Sequence, residues 1–467
     1  MFQKLPNKYL EKIAIINDTG KSISYSDLNN IANKFKNQIK KRSLVFCLCK
    51  NTIGSLYGYF SFIKNGIVPL MLDASLDKEL LSKLLETYSP EYIWVSKERV
   101  KEFPGKQIIY SLEDYSLLRL NKNNIYQLNK DLALLLTTSG STGSPKLVRI
   151  SYGNVEANAI SIAEYLSIDE NERPITALPM NYSFGLSIIN SHLIRGATIL
   201  LTSRSIMEKE FWSFLKEQRA SSLSGVPYTF EILKKLHFFR MDLSSITTLT
   251  QAGGKLHDEL NKELSEFCFH SKKRFFVMYG QTEATARMSY LPPEYSLAKL
   301  GSMGVAIPGG EFSLIDESGS TIEGPGIIGE LVYKGGNVSM GYAECGDDLQ
   351  KGNDNNGILL TGDLAKRDRD NFYYIVGRKK RFIKLYGNRV DLDETERILK
   401  NIISDCACLG EDGYMMIYIT ERTRIEEVRN YISSKTGIHH SVFTVRYIDT
   451  IPKNPSGKTI YSNLALL

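Results

Sequence analysis

Apolar and polar positions recur in two rhythms along this chain, one helical and one strand-like. Over residues 24–40, Leu28, Ile31, Ala32, Phe35 and Ile39 fall on one face of a helix. Ser24 stands where an N-cap belongs, with Asp27 three residues on. Residues 44–49 are a short apolar run that reads as a buried strand. Leu76, Leu80, Leu81, Leu84 and Leu85 form a second helical stripe, with a strand after it at residues 92–95. Leu132-Ala133-Leu134-Leu135-Leu136 is another strand-length run. This alternation fills the first three-quarters of the chain and predicts α/β architecture with mainly parallel sheets.

From about residue 301 the texture changes. Gly and Pro become frequent, and short alternating runs appear, among them Phe312-Ser313-Leu314-Ile315 and Phe372-Tyr373-Tyr374-Ile375-Val376. They predict a β-rich subdomain. A dense basic run, Arg378-Lys379-Lys380-Arg381, follows, then a helix over residues 392–402. The expected organisation is a large N-terminal domain, residues 1–379, with a hinge at Lys380. A small α+β domain occupies residues 380–467.

Composition mostly excludes. The 467 residues carry 58 Lys+Arg against 52 Asp+Glu, so a net charge of +6 is spread thinly and argues against a nucleic-acid partner. No apolar run approaches a membrane span, and the N-terminus has no signal-peptide core. Cys47 and Cys49, like Cys406 and Cys408, alternate in apolar surroundings, so each pair is expected on one strand face. Buried free thiols suit a reducing cytoplasm. The six histidines do not cluster beside them, which argues against zinc.

Candidate chemistry begins behind the 132–136 run. Thr137-Thr138-Ser139-Gly140-Ser141-Thr142-Gly143-Ser144-Pro145-Lys146 combines turn-forming glycines, hydroxyls and a fixed cation. Freed backbone N–H groups in such a loop cradle anions, and a polyphosphate fits. It is not a Walker loop, because Ser144-Pro145 separate Gly143 from Lys146. A flexible Gly/Ser linker is the plain alternative. Gln251-Ala252-Gly253-Gly254 is a second glycine element. Met278-Tyr279-Gly280-Gln281-Thr282-Glu283-Ala284 is a third, following a strand-like run. Tyr279 offers a face for a purine, Thr282 a phosphate donor, and Glu283 a carboxylate for Mg²⁺. Leu360-Thr361-Gly362-Asp363-Leu364 puts a carboxylate after a tight turn, suited to ribose hydroxyls. The basic run and Pro455-Ser456-Gly457-Lys458 complete the set. Each alone reads as an ordinary turn, cap or solvated face.

Together and in this order, the six elements resemble the adenylate-forming superfamily of acyl-CoA synthetases, peptide-synthetase adenylation domains and luciferases. Ser22-Ile23-Ser24-Tyr25-Ser26-Asp27-Leu28 is similar to its opening motif. The resemblance implies a two-step ligase. ATP and a carboxylic acid give an acyl-adenylate and pyrophosphate. A pantetheine thiol, of CoA or of an acyl carrier protein, then takes the acyl group. It implies Lys458, Glu283 and Thr138 as catalytic residues, with Mg²⁺ on Glu283. Thr138, Ser139, Gly140, Ser141, Thr142, Gly143 and Lys146 would hold phosphates. Gly253, Gly254, Tyr279, Gly280, Gln281 and Thr282 would flank the adenine and phosphates, and Asp363 and Arg378 the ribose. Tyr182, Gly185, Gln251, Met278 and Val305 would line the acyl pocket. Lys380 would be the hinge of a mobile small domain and Gly387 would lie on the pantetheine path.

One departure bears on the substrate. Peptide-synthetase domains carry Asp near Leu178-Pro179-Met180-Asn181-Tyr182-Ser183-Phe184-Gly185-Leu186, where this chain has no acid. A buried ammonium without a carboxylate is costly. The expectation is an uncharged acyl or aryl acid. The alternatives are a stand-alone amino-acid-activating enzyme and a non-catalytic ATP- or acyl-binding regulator.

Overall fold

A computed structural model describes residues 6–120, 126–137, 146–386, 388–454 and 457–465. The chain forms two compact units. One holds residues 1–300, 304–311 and 334–359; the other holds 301–303, 312–333 and 360–467. Residues 312–333 of the β-rich segment thus cluster with residues C-terminal to them, and residues 334–359 with the first unit.

The first unit carries two large sheets. The eight-stranded sheet runs Tyr342–Ala343, Leu147–Ser151, Leu132–Thr137, Val68–Asp73, Leu44–Cys49, Tyr92–Ser96, Tyr115–Arg119, Gln107–Leu112. Its middle strands are parallel and both its flanks antiparallel. The nine-stranded sheet has a parallel centre from Ile13–Asn17 to Arg274–Tyr279, with antiparallel edge strands. The Leu44–Cys49 strand is buried on both faces, which is why its sequence is unbroken apolar. Val45, Cys47 and Cys49 pack with Trp94 and Phe35, while Leu44, Phe46 and Leu48 pack with Leu81, Leu84 and Tyr88. The cysteines share one face, as their spacing predicts.

The Tyr25–Lys36 helix starts at Ser24 with a full capping box through Asp27 and stops short of residue 40; Ile39 is buried beyond its end. The Ile53–Asn65 helix is buried nearly all round, so it shows little helical periodicity in sequence.

The second unit contains a four-stranded sheet, ordered Gly310–Ile315, Gly329–Gly335, Ile358–Arg367, Tyr373–Arg378. A Phe382–Leu385 and Asn388–Asp391 hairpin follows, then the Leu392–Leu399 helix. A three-stranded sheet, Cys406–Glu411, Tyr414–Ile419 and Phe443–Tyr447, packs on the Ile425–Thr436 helix around Ile417, Ile419, Val428 and Ile432. No described helix is long and apolar enough to cross a membrane.

Candidate active site

In the first unit the candidate phosphate segment is bracketed by an antiparallel pair. Thr137 lies opposite Leu147, which closes the ends of the loop. Thr138, Ser139, Gly140, Ser141, Thr142 and Gly143 lie outside the described residues. Lys146 follows, its Nζ 3.8 Å from the centroid of the Tyr342 ring and 3.5 Å from Glu344. The Tyr342 hydroxyl donates to Glu283 Oε1 at 2.8 Å. Burial, and secondarily Glu283, push the Tyr342 phenol up, so it stays a donor. Lys146, Tyr342 and Glu283 therefore form one continuous array. Tyr342 was not singled out from sequence; a lone tyrosine on a two-residue strand carries no signal.

Glu283 sits on a short 3₁₀ turn, Thr282–Ala284, after the Arg274–Tyr279 strand. Gly280 must be glycine, because a Cβ there would come 1.7 Å from the Ala286 carbonyl oxygen. Gln281 Nε2 donates to the Tyr279 hydroxyl at 3.1 Å, and the Thr282 and Ser183 hydroxyls are 3.2 Å apart. Buried Asn337 donates to the carbonyls of Ala284 (2.8 Å) and Arg287 (3.0 Å), pinning the turn from behind.

The glycine pair and the predicted acyl residues meet nearby. Gly253 adopts φ +86°, which favours glycine, and a Cβ there would come 2.7 Å from the Tyr182 hydroxyl. Gln251 is fully buried; its Nε2 donates to the Gly254 carbonyl at 2.7 Å and its Oε1 has no partner among the described residues. Burial pushes the Tyr182 phenol up to about 12, so it is neutral. Tyr182 packs against a cluster that includes Phe184, Val226, Ala252 and Met278. Half-buried Val305 pairs with Tyr290, which in turn pairs with Met278. Gly185 differs from its neighbours. A Cβ there would meet the Pro179 carbonyl oxygen at 2.2 Å, so it lets the Ser183–Leu193 helix approach the preceding turn.

In the second unit Asp363 and Arg378 face each other across an antiparallel pair, Arg378 Nε 3.5 Å from Asp363 Oδ1. Asp363 is buried and the Arg378 side chain exposed. Lys379 pairs with Glu330 at 2.7 Å. Arg381 Nη2 bonds Glu396 at 2.7 Å and its Nε lies 2.6 Å from Asp393 without hydrogen-bond alignment. Within the basic run, Arg378, Lys379 and Arg381 are thus each matched by an acid. Lys380 lies on the Lys379–Arg381 3₁₀ turn. Gly387 lies outside the described residues. Lys458 closes a tight turn, its N–H 3.0 Å from Asn454 Oδ1 and its carbonyl accepting from Asn454 N–H at 2.9 Å.

Glu396, not singled out from sequence, ties this unit together. It accepts from Arg381, from the Cys408 N–H (2.7 Å) and from the Tyr461 hydroxyl (2.9 Å), and the Arg381 guanidinium stacks 3.9 Å over the Tyr461 ring. Burial pushes its carboxyl up to about 7, against the pull of Arg381.

Comparison with known proteins finds similar chains. The 2-succinylbenzoate–CoA ligase of Bacillus pumilus (strain SAFR-032) is 27% identical over 467 residues, covering 96% of this chain and 93% of the relative. The 4-coumarate–CoA ligase-like 2 protein of Arabidopsis thaliana is 29% identical over 357 residues, covering 72% of this chain and 61% of the relative. The structure of o-succinylbenzoate CoA synthetase from Bacillus subtilis with its acyl-adenylate intermediate is similar at a TM-score of 0.80 and 23% identity, over 97% of this chain and 95% of that one. ATP-bound MatB from Rhodopseudomonas palustris gives 0.79 and 20%, over 99% and 96%. At these identities the structural likeness speaks for the fold. The family model described as AMP-binding enzyme matches residues 2–343, and the chain belongs to that family.

Proposed function

We propose that this protein is an AMP-forming acid–thiol ligase. A carboxylate oxygen attacks the α-phosphorus of ATP, pyrophosphate leaves, and an acyl-adenylate remains bound. The thiol of CoA then attacks the acyl carbon, and AMP leaves with the bonding electron pair. The relatives named as CoA ligases support CoA as acceptor; a carrier-protein pantetheine is the second acceptor of the same chemistry.

The observation that carries this reading is the Lys146–Tyr342–Glu283 array at the foot of the phosphate loop, in a chain of this family. Two anions must meet in the first step, so cations and oriented donors supply most of the catalysis. In this reading Lys146 and residues 138–143 hold the β- and γ-phosphates. Tyr279, with Gly253, Gly254, Gly280 and Gln281, borders the adenine, and Asp363 and Arg378 hold the ribose. Lys458 neutralises the reacting carboxylate and α-phosphate. Among the described residues no three His, Cys, Asp or Glu converge as a metal cage. Mg²⁺ held by one carboxylate and by phosphate oxygens fits Glu283, and it would offset phosphate charge.

The small domain pivots at Lys380, in this reading, so residues 380–467 act as the moving part. Gly387 then borders the pantetheine. The pocket around Tyr182, Gln251, Met278 and Val305 takes the acyl chain. We place the enzyme in the cytoplasm, where its buried free thiols persist.

The products test this reading. With ATP, Mg²⁺, a competent acid and CoA, the protein should yield AMP and the acyl-CoA by mass spectrometry. Formation of ADP, or of an acyl phosphate, would contradict it.

A further inference from the structure

Glu396, on the Leu392–Leu399 helix, receives donors from two distant stretches of chain, one beside the predicted hinge and one beside Lys458. Its side chain is only 12% exposed. Oε1 accepts from Arg381 Nη2 and from the Cys408 N–H, each at 2.7 Å. Oε2 accepts from the Tyr461 hydroxyl at 2.9 Å. The Arg381 guanidinium stacks over that same phenol ring, so the three side chains close on one another.

These partners sit at telling places. Arg381 ends the Lys379–Arg381 turn. Tyr461 opens the Tyr461–Leu464 helix, just behind the turn that carries Lys458. That turn has its own bonds: the Pro452 carbonyl accepts from the Ile460 N–H at 2.8 Å, and Asn454 N–H and Oδ1 bond the Lys458 carbonyl and N–H. The Tyr461–Glu396 bond ties it to the Leu392–Leu399 helix.

The tie depends on charge. A carboxylate only accepts, whereas a carboxylic acid must donate from one oxygen. A proton on Oε2 faces the Tyr461 phenol, which must then stop donating. Arg381 and the Cys408 N–H have no acceptor to offer in its place. Charge-assisted hydrogen bonds are also about twice as strong as neutral ones. Arg381, Asp393 on the same helix, the Cys406 and Cys408 thiols and Tyr461 face this carboxyl. Lys400 and the Asp405–Lys453 pair flank Cys406. Burial pushes both thiols and the phenol up, so these stay neutral while Arg381 and Asp393 act oppositely on the carboxyl. Burial likewise pushes Glu396 up to about 7.

We propose that Glu396 is a positioning residue for adenylation: as a carboxylate it holds Tyr461 and so keeps the Lys458 turn in place, and on protonation it releases that turn. This rests on the ligase reading above, in which Lys458 acts in the first half-reaction.

The test follows carboxylate-dependent pyrophosphate exchange at saturating Mg·ATP between pH 6 and 8, in the wild type, Glu396→Gln and Tyr461→Phe. The ionised fraction of a group titrating at about 7 changes about 10-fold over this span, so the wild-type rate should fall about 10-fold from pH 8 to pH 6. Glu396→Gln, a permanently neutral mimic, should show the low rate throughout, and so should Tyr461→Phe, which keeps the carboxyl but loses the tie. Conversion of preformed adenylate to thioester should follow one pH profile in all three. Hydrogen–deuterium exchange gives a readout apart from activity. At pH 8 the amides of residues 457–465 should exchange faster in Glu396→Gln than in the wild type, and at pH 6 equally fast. The inference is overturned by a wild-type rate without the step, by a step that persists in Glu396→Gln, by a variant slowed by the same factor at every pH, or by equal amide exchange at pH 8. Absence of pyrophosphate exchange with every acid at every pH fails the ligase reading itself and takes this inference with it.

Discussion

A single phenol connects two charged groups of the candidate site in the first unit. Tyr342 lies beneath Lys146 and donates to Glu283. Tyr342→Phe keeps the ring and removes only the donor. A hydrogen bond to a charged group contributes about 1.5–3 kcal/mol, so the KM for Mg·ATP should rise about 10-fold or more. An ATP titration at several Mg²⁺ concentrations measures it; an unchanged KM would mean Glu283 is oriented without the phenol. His192 makes a separate prediction. Burial, aided by nearby Arg287, pushes its pKa down from 6.5 to about 3. A depressed histidine binds its proton less well folded than unfolded. Its contribution to stability is full above about pH 6.5 and is lost as pH falls towards 3, by up to about 1.4 kcal/mol per unit. His192→Gln should flatten this acid limb in denaturant titrations between pH 6.5 and 4; an unaltered limb would place the acid sensitivity elsewhere.

At the scale of elements, the Leu392–Leu399 helix does more than cover a sheet. Its Glu396 binds Arg381, next to the predicted hinge, and Tyr461, three residues beyond Lys458. Lys453 pairs with Asp405 at 2.6 Å and Tyr418 donates to the Leu464 carbonyl. The turn bearing Lys458 is thereby strung between fixed points. Tyr461→Phe should lower the adenylation rate about 10-fold while conversion of preformed adenylate to thioester stays near wild type. Removing one buried partner costs about 1–3 kcal/mol, which the unit should survive. Equal losses in both half-reactions would show general damage instead. The sequence displays the glycine elements and the hydrophobic runs because backbone geometry and burial restrict residue type there. It does not display Glu396, Asn337 or Tyr342. Each acts through a partner remote in sequence, and pairing across tens or hundreds of residues leaves no local pattern.

For the whole molecule, alternation of rhythms made the α/β sheets and the change of texture legible. The compact units interleave along the chain: residues 312–333 cluster with the C-terminal elements and residues 334–359 with the α/β sheets, and no local pattern announces such an exchange. The candidate residues divide between the units: Lys146, Glu283, Tyr182 and Met278 in the first, Asp363, Arg378 and Lys458 in the second. The most direct measurement is exchange of labelled pyrophosphate into ATP, dependent on a carboxylic acid and Mg²⁺ and without any thiol, for the wild type and Lys458→Ala. The wild type should exchange, and exchange should fall about 100-fold or more in a folded Lys458→Ala protein still able to bind ATP. Exchange that is undiminished in that variant, or absent from the wild type with every acid offered, would contradict it.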